Sequence, residues 1–467
     1  METADRFVMK PHTIRGGRCL AGQKGQALWL SLALMLVVML SLFAFYQGSR
    51  ALDNKARVRQ AADAAALSAA TWRARVLNAV AYANRAILAQ DLAIAQAVTL
   101  ASWAGYAEEF VAHAQLLASI YPPAASVLAA ASAASEQARS LAAEGAQAEI
   151  RWRADALSGH RAMLEQSQAM LLASADSFGL SAVANEIARA NDSKIFAFVM
   201  GDEGAFARFV TVQSSDEQMQ RTADLVIRSL DGFSGGSREL DLRLLPLPSS
   251  CAGQSTQLDR WTHWYRKRGG TELSADLTHW TAADTGSIHD WRRKRLIFGS
   301  CRDLESVPVA GGFAQARAGD APLSDIANPG RVLDNPGAFA RARVRSHAEH
   351  GSGFASYPGL GVVRDINPSL VQSQPFPRSM LAVLARMETD KSDVSTTESV
   401  GYGRLALPSP RKLSQIWSLS AAEVYFRAPP SIEHSSQKAS LFSPYWQARL
   451  IEPTEAQRQA AQTYASR

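Results

Sequence analysis

The pattern of apolar and polar positions divides the chain into three stretches of different character. Ala27 to Tyr46 is a run of 20 residues without charge or proline, which as a helix rising 1.5 Å per residue is about 30 Å long, enough to cross a bilayer. Alanine-rich sequence follows, with 46 alanines between Ala51 and Ala190 and only two prolines, Pro122 and Pro123. This is helix composition. From Asn191 onward the chain holds 16 of its 19 prolines and 21 of its 30 glycines. The β-prone pieces "LDLRLLPL", "RLIFGS", "VYFRA" and "YWQARLI" lie here, beside one amphipathic helix pattern from Glu217 to Leu230.

The expected architecture is α+β. Residues 1–25 form a basic leader, 26–47 a transmembrane helix, 48–190 an alanine-rich helical stalk or hairpin, and 191–467 a mixed α/β domain. Pro122-Pro123 should divide the helical region into two arms, because proline removes a donor and clashes with the preceding turn. On a helical wheel Val76, Val80, Ile87, Ile94 and Val98 form one stripe, predicted to pack on the second arm. Asn78, Tyr82, Arg85, Ala89 and Gln96 lie opposite. Asn78, Tyr82 and Arg85, at i, i+4 and i+7, are interaction candidates, either for a partner or for the chain's own distal domain. A solvated polar face is the plain alternative. The stretch Thr389 to Gly403 is polar enough for a mobile loop.

Charge changes the picture modestly. The formal net charge is +6 and the basic residues are interspersed with acidic ones, so nucleic-acid binding is not indicated. The leader carries Arg6, Lys10, Arg15, Arg18 and Lys24 against Glu2 and Asp5, which keeps the N-terminus in the cytoplasm and puts the bulk of the chain outside the inner membrane. Arg50, Lys55, Arg57 and Arg59 follow the apolar run and reduce that asymmetry. A cleaved signal peptide is the competing reading, but its apolar region is normally about 7–15 residues.

Three segments taken in order, "KGQALWLSLALMLVVMLSLFAF", "NKARVRQAADAAALSAA" and "RVLNAVAYANRAILAQ", resemble the N-terminal region of the TadE/TadG-like family of tight-adherence (Flp) pilus assembly proteins. The likeness is densest over residues 24–90, with Gln60, Ala61, Ala62, Asp63, Ala64, Ala65, Ala66 and Leu67 matching the family's pattern after its span. It implies a bitopic inner-membrane protein, a pilin-like or anchoring part of a pilus or a pilus-related secretion apparatus, whose partners are pilus-assembly membrane proteins. Gly25 and Gln26 would be its processing site, yet Leu30 stands where pilin-type substrates carry glutamate. The metal loop of the longer members' von Willebrand-like domain is not matched, since "DGFSGGS" from Asp231 has the wrong spacing.

Export makes a Cys251–Cys301 disulfide the expected redox pair, with Cys19 left free in the leader. His263, His279 and His289 lie between those cysteines, but none is paired at the two-to-five-residue spacing that structural zinc sites favour. Trp261, Trp264, Trp280 and Trp291 alternate with the clusters Arg266–Arg268 and Arg292–Arg295. They suggest either a small core or a glycan-binding surface. No nucleophile elbow, His-Glu-x-x-His or phosphate loop appears, so neither enzyme activity, cofactor nor small-molecule substrate is expected. A membrane-tethered adhesin or glycan-binding protein is the alternative function, and an extracytoplasmic enzyme ranks below it.

Overall fold

The computed structural model describes residues 26–118, 160–201, 204–246, 262–293, 301–317, 328–350, 376–388, 395–400, 407–412, 415–429 and 439–465, with parts of 130–148 and 354–373. It is a mixed α+β structure organised on one helix. That helix, α1 (Gln26–Ala118), runs for 93 residues, and Pro122 and Pro123 lie outside the described residues. Helices α2 (Ala162–Ser174) and α3 (Ser177–Asn191) follow. Then come α4 (Asp216–Arg228), α5 (Pro336–His350) and α6 (Glu455–Ala465).

Two larger sheets carry most of the β structure. The first is antiparallel in the order β1 (Ile195–Met200), β9 (Ser379–Glu388), β12 (Gln415–Phe426) and β13 (Trp446–Ile451). The second has the order β3 (Leu240–Pro246), β4 (Thr262–Leu273), β5 (His279–Arg293), β6 (Cys301–Arg317) and β7 (Phe354–Ala355), and only its β6–β7 pair is parallel. Two small antiparallel pairs complete the set, β2 (Val210–Val212) with β8 (Arg364–Ile366) and β10 (Ser395–Val400) with β11 (Leu407–Lys412). The stretch expected to be a mobile loop thus supplies β10. Three of its six residues, Thr396, Thr397 and Val400, are β-branched, which suits a strand.

The alanines answer a packing problem. From Val58 to Ala70 the buried positions of α1 are almost all alanine, and they share one core with Leu180, Ala184 and Ala188 of α3 and with Ile195, Val383 and Val424 of the first sheet. Small side chains let a helix axis lie close to a sheet and a second helix together, so backbone contact replaces bulk. Farther along, Ile87, Ile94, Ala95 and Val98 enter a second core with Trp280, Ala282 and Ala314 of the five-stranded sheet. The β-branched stripe therefore packs mainly on strands from the distal half rather than on a second helical arm. Along the chain helices precede strands, whereas in space α1 is common to both cores.

Close approach also explains two glycines. A Cβ on Gly312 of β6 would lie 1.8 Å from the Ser102 carbonyl oxygen, and Gly105 faces the Gly312 Cα. Helix and strand cross there almost backbone to backbone.

Candidate anchoring helix and docking site

The N-terminal part of α1 is bare. Leu28, Trp29, Leu30, Leu36, Phe43 and Phe45 are each exposed, as are the other residues from 28 to 46. Gln26 opens α1, while Gly25 lies outside the described residues. The run leads into a neck, residues 48–57, before burial begins at Val58.

Farther along α1 stand the three interaction candidates, Asn78, Tyr82 and Arg85. Asn78 bonds both backbone groups of Trp446: its Nδ2 donates to the Trp446 oxygen at 3.0 Å, and its Oδ1 accepts from the Trp446 nitrogen at 3.0 Å. A side-chain amide has the same donor and acceptor pair as a peptide group, so Asn78 acts as one more rung at the start of β13. Arg85 Nε donates to the Phe442 oxygen at 2.6 Å. Tyr82 touches neither partner and is 60% exposed. Two of the three thus meet the segment 442–446, and the third faces outward. Gln96, on the same side, bonds Asp231 at 2.8 Å. Backbone amides from Ser234 and Phe233 and the Gln96 amide hold the Asp231 carboxyl down to about 2.

Sequence reasoning missed the polar residues that α1 buries. Arg73, Asn84, Asp91, Thr99 and Ser102 are all almost fully enclosed. Arg73 donates from Nε to the Ala175 oxygen at 3.0 Å and from Nη1 to Ser379 Oγ at 2.9 Å, with its guanidinium 4.3 Å over the Phe206 ring. Asn84 Nδ2 donates to the carbonyls of Arg364 (2.7 Å) and Leu441 (2.8 Å), and Oδ1 accepts from Gln168 (3.0 Å) and the Arg364 nitrogen (3.3 Å). Asp91 accepts from the Gly361 nitrogen at 3.2 Å. Burial drives its pKa up to about 6, against the opposing pull of Arg161. One signal could have found three of them. Arg73, Leu77, Val80, Asn84, Ile87, Asp91, Ile94 and Val98 are spaced alternately by four and three residues, the seam of a helix buried along one side.

Beyond that seam the helix reaches a buried ion cluster. Asp284 of β5, fully enclosed, accepts from Arg238 Nε (2.8 Å) and Nη2 (2.9 Å), from Lys267 Nζ (3.0 Å) and from Ser102 Oγ (3.0 Å). Tyr106 and Tyr265 share a hydroxyl contact of 2.6 Å beside it. Burial raises both phenols above their usual range. On the far face of the sheet Glu305 accepts from the Gly337 and Ala338 nitrogens and so caps α5, where a carboxylate complements the helix dipole.

The remaining candidates are dispersed. Cys251 lies outside the described residues and Cys301 opens β6, so the expected disulfide is not visible here. His263 stands by Asp290, His279 by Asp276, and His289 between Asp303 and Asn335. Among the described residues no group of three His, Cys, Asp or Glu side chains could hold a metal ion. Trp280 is fully buried, and Trp264 meets Trp291 edge to face at 6.2 Å.

The fold and site define a helix-mounted α+β protein whose polar contacts serve docking between elements. Residues 25–74, from the apolar run through the alanine-rich turns, match the model of a family described as "Putative Flp pilus-assembly TadE/G-like". No curated protein matches the chain, and no solved structure does.

Proposed function

We propose that this protein is an anchoring component of a tight-adherence pilus assembly, held in the inner membrane by the apolar run of α1 with its N-terminus in the cytoplasm and its body outside. The observation that supports this best is the continuity of α1: an exposed apolar run of bilayer length passes without a break into a helix that is the core of the body. The match over residues 25–74 spans that passage. The net positive leader favours the stated orientation. In this reading the protein is a platform for other assembly proteins and carries no catalytic site.

Topology tests the reading directly. A reporter fused after Tyr464 is expected to be active only if it matures in the periplasm, and activity of a cytoplasmic reporter at that fusion would overturn it. The outward face of α1 gives a second test. Tyr82→Ala removes an exposed ring that takes no part in the bonds to Trp446 and Phe442, so it should lower co-purification of pilus-assembly proteins without changing expression. Arg85→Ala should instead loosen the segment at Phe442, seen as faster amide exchange there. Wild-type co-purification by Tyr82→Ala would return that face to solvent.

A further inference from the structure

Two contacts fix the direction in which the first sheet runs along α1. Asn78 bonds Trp446, which lies opposite Phe426 of β12, whereas Arg73 bonds Ser379, which lies opposite Val424. Stepping from Phe426 to Val424 therefore moves the contact from residue 78 down to residue 73 of α1, toward the apolar run. Continued in that direction, the sheet ends at Ile195, Met387 and Ile416, which are register neighbours and share a core with Val58. This end of the sheet faces the same way as the apolar run. Between Tyr46 and Val58 the helix rises only about 18 Å.

Its chemistry is distinctive. The neck with the turn that follows it, residues 48–60, and the sheet end, residues 189–196, 386–388 and 415–417, together hold seven basic and three acidic residues. Arg50, Lys55 and Arg59 are exposed along this stretch, and Asp53 is paired with Arg57 at 2.9 Å. On the sheet end the Arg189 guanidinium lies 5.4 Å over the Phe196 ring, and that of Arg386 lies 5.9 Å from both Phe196 and Trp417. Lys194 is exposed beside them, and Phe196 keeps 37% of its surface open. Arginine, lysine and tryptophan, each an apolar stem or ring with a polar end, are side chains that favour the zone between water and hydrocarbon.

We propose that this end of the body, with the neck of α1, is a collar that binds the phosphates of anionic phospholipids. The proposal rests on the membrane-anchored reading above and adds to it a second, electrostatic contact with the bilayer. The headgroup layer extends roughly 5–7 Å beyond the hydrocarbon. A tilt of about 20°, ordinary for a spanning helix, lowers the sheet end toward that layer. Positive charge near an anionic surface then holds the body down.

The test uses the full-length chain in vesicles of phosphatidylcholine, alone or with phosphatidylglycerol. A benzophenone amino acid replaces Phe196 in one preparation and Trp29, within the apolar run, in another. The Trp29 probe should photolabel lipid in both vesicle types. The Phe196 probe should label lipid when phosphatidylglycerol is present and lose most of that labelling in high salt. Arg189→Glu with Lys194→Glu should cut the yield by roughly fivefold or more for each charge reversed. Silence of the Phe196 probe in anionic vesicles, or equal labelling with and without phosphatidylglycerol, while Trp29 labels lipid would overturn the collar alone. Silence of the Trp29 probe as well would remove the membrane anchor and the collar with it.

Discussion

Asp284→Ala is expected to destabilise the protein by about 3–5 kcal/mol, the cost typical of leaving buried charges without their partner. Arg238 and Lys267 both direct their cations at this carboxylate, and their side chains are only 7% and 14% exposed. Removing the acid leaves two cations to be solvated in a space built to exclude water. Ser102 of α1 loses an acceptor at the same time, although it keeps its 3.2 Å contact with the Gly312 oxygen. The damage should therefore spread to the crossing of α1 over β6. Thermal unfolding of the detergent-solubilised chain would show a large fall in midpoint, and amide exchange would quicken at Gly312. A midpoint within a degree or two of wild type would mean that the cluster carries little of the fold.

The opposite sign is expected at Asp91. Its folded pKa of about 6 lies above the ordinary 3.8, so the fold disfavours the ionised form. Stability is then greatest below 3.8 and declines as pH rises through 6, by about 3 kcal/mol for a shift of this size. Asp91→Asn keeps an oxygen for the Gly361 nitrogen and removes the titration. The variant should be more stable than wild type at pH 7–8 by up to about 3 kcal/mol and nearly equal to it at pH 4. Denaturant unfolding at the two pH values checks this. Equal stabilities at pH 8 would mean that the attraction of Arg161 offsets the burial of the charge in full.

These two residues also show what the sequence could and could not disclose. Apolar periodicity identified the long helix and its β-branched stripe, because each depends on local spacing. Strands such as Leu240–Pro246 and Trp446–Ile451 and the helix at Asp216–Arg228 were equally local. In the helix the Ser215–Gln218 capping box marks the start. Asp91 was hidden for a different reason: a charged residue on a helix reads as surface until its neighbours at three and four residues are seen to be buried. Asp284 was illegible altogether. Its partners Arg238, Lys267 and Ser102 come from three distant parts of the chain, brought together by strand pairing that local pattern does not encode. The same holds for Asn78, whose backbone partner Trp446 comes near the other end of the sequence.

The unbroken course of α1 makes it a lever. From Tyr46 to Ala118 it extends roughly 110 Å. With Arg73, Asn84 and Asp91 bonded into the body, no described joint lets the body swing independently of the shaft. In the anchored arrangement, a change of about 20° in the inclination of the buried end would sweep the far end sideways by nearly 40 Å. Small movements in the plane of the bilayer, whether from a neighbouring subunit or from local thickness, would be delivered magnified to whatever is bound at the outer tip.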